Sequence, residues 1–241
     1  STISACRKRA PGAGKNGEDR MEKQKQETAA APARVVFLDR DGTMNEEVHY
    51  LYRPEDLRLI PGTAEAVRLL NGAGYRVIVV TNQAGVARGY YGEEEVRRLH
   101  AYLNGVLGQE GAHVDAFYYC PHHPQYGIGP YKKECRCRKP GTGMLEAAER
   151  DLPGGIDRAA SFLIGDKLAD VEAGKRFGVT GILVGTGYGE TERRAAEALS
   201  GAGALPYDYY APDLLEAAKA ILDGRAGQKA GGNGSGREAR E

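Results

Sequence analysis

The stretch that decides the fold reads Val35-Val36-Phe37-Leu38-Asp39-Arg40-Asp41-Gly42-Thr43. An apolar run that ends in carboxylates is typical of a buried parallel strand leading into a polar site. About 125 residues later, residues 161–165 repeat this pattern and are followed by Asp166 and Asp170. Because ligands of parallel sheets bind at the carboxyl ends of the strands, the two acidic strand ends predict one shared pocket for a divalent cation.

Strand-like and helix-like segments alternate between these two motifs and beyond them. Continuous apolar strands between amphipathic helices indicate an α/β fold of three layers, with a parallel sheet covered by helices on both faces. The predicted strands are residues 35–39, 76–81, 116–119, 161–165, 181–184 and 209–210, and the predicted helices are residues 63–72, 92–107, 143–151, 169–177, 190–199 and 212–222.

Length and composition indicate one domain with two polar ends. Residues 34–223 form the predicted domain, while residues 1–33 and 224–241 have no apolar period and are expected to be disordered tails. The formal net charge of zero gives no general attraction to nucleic acid or to an anionic membrane. We found neither a membrane-spanning run nor the apolar core of a signal peptide, and expect a soluble cytoplasmic protein.

The first motif suits an attack on phosphorus. Residues i and i+2 of an extended chain point the same way, so Asp39 and Asp41 are expected to face one bound group, with Arg40 turned away. Two negative charges 4 Å apart repel by roughly 4 kcal/mol at an effective dielectric near 20, so a carboxylate nucleophile needs a cation beside a phosphate. Carboxylate oxygens of Asp39 and Asp166 and the carbonyl of Asp41 form an oxygen set that suits Mg²⁺. Asp-x-Asp alone would favour a solvated loop.

Two further segments offer groups that bind phosphate. Thr81, Asn82 and Gln83 close the most apolar strand of the chain with a hydroxyl and two amides. Lys139 would hold the phosphoryl group as a fixed cation, and Arg138 would form a forked contact to a second phosphate or a sugar oxygen. In isolation, these segments would be an ordinary polar turn and a solvated basic turn.

Three cysteines and two histidines lie close together in residues 120–137, which we call the zinc loop. In a reducing compartment, Cys120, Cys135 and Cys137 with one imidazole predict a closed, structural zinc site, and a catalytic zinc would require an open position. His122 is the preferred fourth ligand and His123 is the alternative. Bound zinc would fix the segment that follows Cys137 over the predicted site.

Taken together, these motifs resemble the haloacid dehalogenase superfamily of aspartate-nucleophile phosphatases over residues 35–222. The resemblance implies a Rossmann-like fold, and the short interval between the first two motifs leaves no room for a large cap domain. The four motifs are Asp39-x-Asp41-Gly42-Thr43, Thr81, Lys139 and Gly165-Asp166-x-x-x-Asp170.

The zinc loop is similar to that of the D-glycero-D-manno-heptose 1,7-bisphosphate 7-phosphatase family, from which Thr142 departs, because the family usually has a proline there. This resemblance implies Mg²⁺-dependent hydrolysis of the C7 phosphate to heptose 1-phosphate, a step towards activated heptose for lipopolysaccharide or surface glycans. The alternative is histidinol-phosphate phosphatase, whose zinc loop is shorter. A third hypothesis, which is not an enzyme, is an inactive zinc-stabilised module that binds a phosphorylated partner.

The resemblance also implies roles for single residues in a monomeric enzyme. Asp39 would be the nucleophile, Asp41 the general acid and base, and Thr81 and Lys139 would hold the phosphoryl group. Asp170 would orient Lys139 or metal-bound water, or serve as a further Mg²⁺ ligand beside Asp39, the Asp41 carbonyl and Asp166. The implied substrate contacts are Glu47, Val48, His49, Tyr50, Asn82, Gln83, Ala84 and Arg138, and the implied zinc ligands are Cys120, His122, Cys135 and Cys137.

Overall fold

A single parallel sheet organises the chain. The computed structural model describes residues 2–4, 30–200 and 203–227. Its strands are β1 Thr2–Ser4, β2 Val35–Leu38, β3 Arg76–Asn82, β4 Ala116–Cys120, β5 Phe162–Gly165, β6 Thr180–Val184 and β7 Tyr209–Ala211. They lie in the order β1-β4-β3-β2-β5-β6-β7, and every neighbouring pair is parallel. The prediction of a parallel α/β sheet is therefore confirmed.

The six predicted helices are all present, with ends within two residues of the prediction. The helices are α1 Thr63–Gly72, α2 Ala84–Ala87, α3 Glu93–Gln109, α4 Gly143–Asp151, α5 Leu168–Phe177, α6 Gly189–Ser200 and α7 Leu214–Leu222, and 3-10 turns cover Pro54–Asp56, Gly129–Tyr131 and Arg158–Ala160. The helix α2 and the 3-10 turns were not predicted, because segments of three or four residues are too short to show a helical period.

Two hydrophobic cores lie on opposite faces of the sheet. Successive side chains of β2 alternate between them, and all four are fully buried. Val36 and Leu38 pack with side chains of α1, α3 and α7, whereas Val35 and Phe37 pack with side chains of α4 and α5. A strand buried on both faces must be apolar throughout, and this requirement explains why β2 shows no polar alternation.

The described ends of the domain differ from the predicted boundaries. Thr2–Ser4, within the predicted N-terminal tail, forms β1 beside β4. Ala33 N donates a hydrogen bond to Gly155 O at 3.0 Å, and Ala226 is buried. A reading of composition averages over many residues and misses such short pieces. The disorder predicted for residues 5–29 and 228–241 lies outside the described residues.

The strand order places the first motif at the middle of the sheet. β2 lies between β3 and β5, so the three strands that end in candidate site residues are direct neighbours. The chain between β2 and β3 forms one 3-10 turn and α1, which confirms that no large cap is inserted there. In the described part of the chain, we found no helix long and apolar enough to cross a bilayer.

Candidate active site

The carboxyl ends of three adjacent strands bring the predicted catalytic residues together. Asp39 follows β2, Asp166 follows β5, and Thr81 lies near the end of β3. The backbone N–H of Asp39 donates to Ile164 O at 2.9 Å, so the β2–β5 ladder continues up to the predicted nucleophile. These residues border a cleft of about 260 Å³, lined by Asp39, Asp41, Glu47, His49, Tyr50, Thr81, Asn82, Gln83, Ala84, Tyr91, Lys139, Lys167, Ala169, Asp170 and Tyr188.

Lys139 lies at the bottom of this cleft and is almost completely buried. Its Nζ lies 2.7 Å from Asp39 Oδ1, 2.6 Å from Asp170 Oδ1 and 2.7 Å from Val80 O. Burial opposes the charged amine, but Asp170 and Asp39 outweigh burial and raise the pKa of Lys139. Lys139 is therefore a fixed cation that holds one of the two carboxylate oxygens of Asp39.

Asp166 has the environment of a cation ligand. It is fully buried, and burial first and Asp39 second raise its pKa to about 7. Its Oδ2 accepts from Tyr188 N at 3.0 Å, while Oδ1 is buried and has no hydrogen-bond partner among the described residues. A Cβ on Gly42 would lie 2.3 Å from Asp166 Oδ2, so glycine permits the close approach of the chain there.

Asp39, Asp166 and Asp170 form a cluster whose ligand oxygens lie within 4.8 Å of one another. Three buried carboxylates with one orphaned oxygen fit a divalent cation that prefers oxygen ligands, such as Mg²⁺. Asp170 is already engaged, because it pairs with Lys139 and its Oδ2 accepts from Lys167 N at 3.1 Å. These contacts favour the role of orienting Lys139, and its role as a metal ligand stays a prediction, as does the carbonyl of Asp41.

Asp39 and Asp41 both line the cleft and Arg40 does not, but the fully buried guanidinium of Arg40 bends back onto Asp41. Arg40 Nε donates to Asp41 Oδ1 at 3.0 Å and its second terminal nitrogen donates to Oδ2 at 2.8 Å. Asn45 Nδ2 donates to the same carboxylate at 3.1 Å. The alternation of side chains along an extended chain fixes only the direction of the Cα–Cβ bond. The end of a long side chain such as that of Arg40 can still turn back towards its neighbour.

Two predicted substrate contacts at the end of β3, Asn82 and Gln83, also bind other predicted site residues. Gln83 Nε2 donates to Thr81 Oγ1 at 2.9 Å and to Asp41 Oδ2 at 3.1 Å. Asn82 Nδ2 donates to Lys139 O at 3.2 Å, and Asn82 Oδ1 accepts from Lys139 N at 3.0 Å. Both amides line the cleft, and their hydrogen bonds fix the backbone and side chains around it.

The segment of residues 47–50 forms one wall of the cleft. Glu47, His49 and Tyr50 line it, whereas Val48 is 43% exposed and faces a neighbouring groove. His49 and Tyr50 have φ values of 39° and 64°, in the left-handed region that side chains rarely adopt. Backbone strain of this kind typically costs about 1–3 kcal/mol per residue and is enriched at binding sites.

Arg138 follows Cys137, is half-buried and does not line this cleft. One of its terminal nitrogens donates to His122 O at 3.4 Å. Burial and, to a smaller extent, nearby Arg88 lower the pKa of Arg138, although Cys120 raises it. The Arg88 guanidinium lies 5.8 Å from the Tyr50 ring. Among the described residues, neither arginine forms an ion pair with a carboxylate, so both guanidiniums remain available for an anion.

The zinc loop brings three of its four predicted ligands together. Ligand atoms of Cys120, His122 and Cys135 lie within 4.8 Å of one another. Cys137 lies outside this cluster, with its N–H donating to Cys135 Sγ at 3.4 Å. His123 Nδ1 accepts from two backbone N–H groups, so the structure favours His122 over His123 as the imidazole ligand. A buried set of thiols and imidazole fits zinc chemically.

Lys167, Tyr91 and Tyr188 line the cleft and were not predicted as site residues. Lys167 Nζ lies 3.5 Å from Glu47 Oε2, 3.7 Å from Asp166 Oδ1 and 4.6 Å from the Tyr188 ring centroid. Burial opposes its charge, but the surrounding carboxylates raise its pKa. Its position directly after Asp166 in the second acidic motif was the one sequence feature that pointed to it.

Comparison with known proteins supports a phosphatase fold. A family model described as "HAD-hyrolase-like" matches residues 136–217. A solved structure described as D,D-heptose 1.7-bisphosphate phosphatase from B. bronchiseptica, complexed with magnesium and phosphate, aligns with a TM-score of 0.67 and 30% identity over 79% of this chain and 99% of that one. The corresponding protein of Burkholderia thailandensis aligns with a TM-score of 0.56 and 28% identity over 78% of this chain and 98% of that one.

Curated relatives match over most of their own length. The D-glycero-beta-D-manno-heptose-1,7-bisphosphate 7-phosphatase of Rhodopseudomonas palustris is 46% identical over 64% of this chain and 85% of its own. The enzyme of Burkholderia mallei, named for the alpha form, is 46% identical over 61% of this chain and 76% of its own. That of Thermosynechococcus vestitus, named without an anomer, is 43% identical over 79% of this chain and 96% of its own.

Proposed function

Because this chain belongs to the D-glycero-D-manno-heptose-1,7-bisphosphate 7-phosphatase family, we propose that it hydrolyses the C7 phosphate of a heptose 1,7-bisphosphate and releases heptose 1-phosphate and inorganic phosphate. The main support from the structure is the buried Lys139 between Asp39 and Asp170, beside the orphaned oxygen of Asp166. These groups meet the requirements of phosphoryl transfer to an aspartate, because they supply a nucleophile, a fixed cation and a set of oxygen ligands.

In the first step, a carboxylate oxygen of Asp39 forms a bond to the phosphorus while the bond from phosphorus to the C7 oxygen breaks. Lys139 holds the other oxygen of Asp39, which orients the carboxylate. Thr81 lies on the adjacent strand, and its hydroxyl donates to the phosphoryl group. Asp41 gives a proton to the leaving oxygen, so the sugar departs as an alcohol and an aspartyl-phosphate remains.

In the second step, the carboxylate of Asp41 takes a proton from water as that water attacks the phosphorus. Inorganic phosphate leaves and Asp39 is restored. A bound Mg²⁺ ion would neutralise charge between nucleophile and phosphate, and Asp39, Asp166 and the Asp41 carbonyl are the residues that would hold it. The hydrogen bonds from Arg40, Asn45 and Gln83 orient Asp41 for both proton transfers.

The second phosphate of the substrate supplies a reason for Arg138 and Arg88. We assign this phosphate to Arg138, with Arg88 beside it, because both guanidiniums lack a carboxylate partner among the described residues. Arg88 Nε is buried without a hydrogen-bond partner in the described chain. A monophosphate such as histidinol phosphate would leave this positive charge uncompensated, and the names of the relatives also favour heptose bisphosphate.

Zinc in this proposal has a structural role. Cys120, His122, Cys135 and Cys137 would hold the ion in a closed site, and three of them already lie within 4.8 Å of one another. Arg138 and Lys139 follow Cys137 directly, so a fixed zinc loop keeps one arginine and one lysine in place. We further propose that the enzyme is monomeric and cytoplasmic. The zero net charge supports the proposal that it has no nucleic-acid partner.

Phosphate release measured with Mg²⁺ tests this proposal. The substrates are the alpha and beta anomers of heptose 1,7-bisphosphate and, as competitor, histidinol phosphate, compared by kcat/KM. We expect kcat/KM for the preferred bisphosphate anomer to exceed that for histidinol phosphate by at least about a hundredfold, because binding energy from a remote phosphate is used in the transition state. A preference for histidinol phosphate, or no release from any of the three, would reject the proposed function.

A further inference from the structure

A chain of buried hydrogen bonds leads from the cleft to the interior of the sheet's helical layer. It begins at Asp41, passes through Arg40 and ends at His100 on α3. Arg40 and His100 are both fully buried, and His100 is 60 residues away from Arg40 in sequence. Charged and titratable groups are almost never this deeply buried unless they are paired, so this arrangement requires a physical reason.

The guanidinium of Arg40 is the centre of the chain. Two of its nitrogens donate to the carboxylate of Asp41, one of them also donates to Leu51 O at 3.2 Å, and the remaining terminal nitrogen lies 3.2 Å from His100 Nε2. A guanidinium has only donors, so His100 Nε2 accepts in this contact. Removing that acceptor would leave one buried N–H of Arg40 unpaired.

His100 is held as a neutral acceptor. Its ring stacks on Phe117 with centroids 4.7 Å apart and meets Tyr119 edge-on at 6.1 Å. Burial and the positive charge of Arg40 lower the pKa of His100 well below its usual value. With Nε2 accepting, the proton lies on Nδ1, and Nδ1 has no partner among the described residues.

The unpaired Nδ1 indicates that His100 does more than fill space in the core. An apolar side chain of similar size would fill the space beside Phe117 without burying an unsatisfied N–H. The histidine therefore leaves one nitrogen, Nδ1, without a hydrogen bond. Unlike an apolar side chain, it presents the lone pair of its other nitrogen to Arg40. Buried unsatisfied groups of this kind often accompany a functional requirement.

We propose that His100 is a positioning residue for the reaction, acting through Arg40 to hold the carboxylate of Asp41 towards the leaving oxygen. The inference rests on the role of Asp41 in the proposed function. Asn45 and Gln83 also bind this carboxylate, but each donates a single hydrogen bond, whereas the planar fork of Arg40 sets the orientation of both oxygens. Without the hydrogen bond to His100, the guanidinium of Arg40 can rotate, and the carboxyl group of Asp41 is no longer aligned with the leaving oxygen.

Two variants distinguish the acceptor from the volume of the ring. In His100→Gln, the amide oxygen reaches about as far as Nε2 and keeps an acceptor for Arg40. In His100→Met, the chain has a similar length without a good acceptor. Both residues are good helix formers, so neither change opposes α3.

The leaving group provides a readout that a purely structural role would not affect. A sugar alkoxide is a poor leaving group and needs a proton from Asp41, whereas the anion of 4-nitrophenol leaves without one. We expect His100→Met to lower kcat/KM for the heptose bisphosphate by about tenfold, a fraction of the roughly 10² to 10⁴ that general acid catalysis contributes. Its kcat/KM for 4-nitrophenyl phosphate should stay within about twofold of the unsubstituted protein, and His100→Gln should restore the sugar reaction.

Equal losses on both substrates, or equal behaviour of the Gln and Met variants, would overturn the inference. Asp41→Asn measured in parallel shows whether the premise holds. If Asp41→Asn does not lower kcat/KM, which reports the first step alone, more for the sugar substrate than for 4-nitrophenyl phosphate, the proposed role of Asp41 as the acid fails. If it does and His100→Met does not, the inference about His100 alone fails. Should His100→Met not fold, Arg40→Lys keeps the buried charge without the planar fork and is expected to give the same selective loss.

Discussion

Lys139 Nζ lies 2.7 Å from Asp39 Oδ1, although the two residues are 100 positions apart in the sequence. The same Nζ lies 2.6 Å from Asp170, so one buried cation compensates two buried carboxylates. Burial without such pairing would be strongly unfavourable for all three groups. The pairing explains how two buried carboxylates are compensated and held in a fixed orientation at the bottom of the cleft.

Asp39→Asn should abolish turnover and preserve the fold. An amide is not a useful nucleophile, so we expect phosphate release to fall by at least about a thousandfold. Lys139 keeps its contact to Asp170, and circular dichroism should therefore show an unchanged spectrum. The exposed Asp223→Asn is the matched control and should keep full activity. Full turnover by the Asp39 variant would show that another group attacks the phosphate.

Asp166→Asn should keep the stability of the metal-free protein and remove its stabilisation by Mg²⁺. At about pH 8 the carboxyl is ionised in the metal-free protein, and its pKa, raised to about 7, reports an unfavourable buried charge. The amide removes this charge, so the metal-free variant should be at least as stable as the parent. Saturating Mg²⁺, at about 100 times its dissociation constant, should stabilise the parent by about 2.7 kcal/mol and leave the variant unchanged. Scanning calorimetry with and without Mg²⁺ measures both effects, and an equal Mg²⁺ response would exclude Asp166 as a ligand.

Removal of a zinc ligand should reduce activity through the adjoining loop. Cys120→Ser and Cys137→Ser are expected to lower the bound zinc, measured by atomic emission, and to lower kcat/KM by about tenfold or more, since groups that orient a site typically have effects of this size. Cys6→Ser is the control, because Cys6 is not among the predicted ligands. Unchanged zinc content and unchanged kinetics in Cys137→Ser would show that Cys137 is not part of the site.

Arg138→Ala should weaken binding of the bisphosphate specifically. A charge-assisted hydrogen bond contributes about 1.5–3 kcal/mol, so kcat/KM should fall by about 10- to 100-fold. Arg88→Ala should act in the same direction with a smaller effect. Neither change should alter the reaction with 4-nitrophenyl phosphate, which has no second phosphate. Arg194→Ala on the exposed face of α6 is the control. An equal loss on both substrates would place the arginines at the reacting phosphate.

The buried His100 should make stability depend on pH below about 6.5. Burial and Arg40 keep its pKa well below 6.5 in the native state, so the unfolded chain binds an additional proton in acid. Stability is therefore fully present above about pH 6.5 and is lost below it, by up to about 1.4 kcal/mol per pH unit. His100→Gln lacks this proton. Urea unfolding of both proteins at about pH 5 and 8 should show the steeper acid loss in the parent, and parallel curves would contradict it.

Local patterns were sufficient for most of the secondary structure and for the strand ends that bear the candidate catalytic carboxylates. The apolar run of β2 has a length and composition that only a buried parallel strand explains, and a polar residue at its end must lie at the edge of the sheet. Asp39 and Asp166 were found in this way. Thr2–Ser4 was not, because three residues show no period, and an edge strand depends on the open side of β4.

The side-chain network behind the site was beyond the reach of the sequence. The contacts of Arg40 with Asp41 and His100, and of Asn82 with the backbone of Lys139, were not predicted. Long flexible side chains choose among several partners, and the choice depends on which elements pack over them. Periodicity contains no such information.

The sequence by itself determined the α/β architecture, the strand ends that bear carboxylates and the residue types of the two candidate metal sites, because these follow from hydrophobic period and ligand chemistry over a few adjacent residues. Only the tertiary structure decided that Lys139 neutralises Asp39 and Asp170, that Lys167 enters the cleft and that ligand atoms of Cys120, His122 and Cys135 lie within 4.8 Å of one another. These contacts join segments far apart in the chain, and their geometry is set by how the helices pack on the two faces of the sheet.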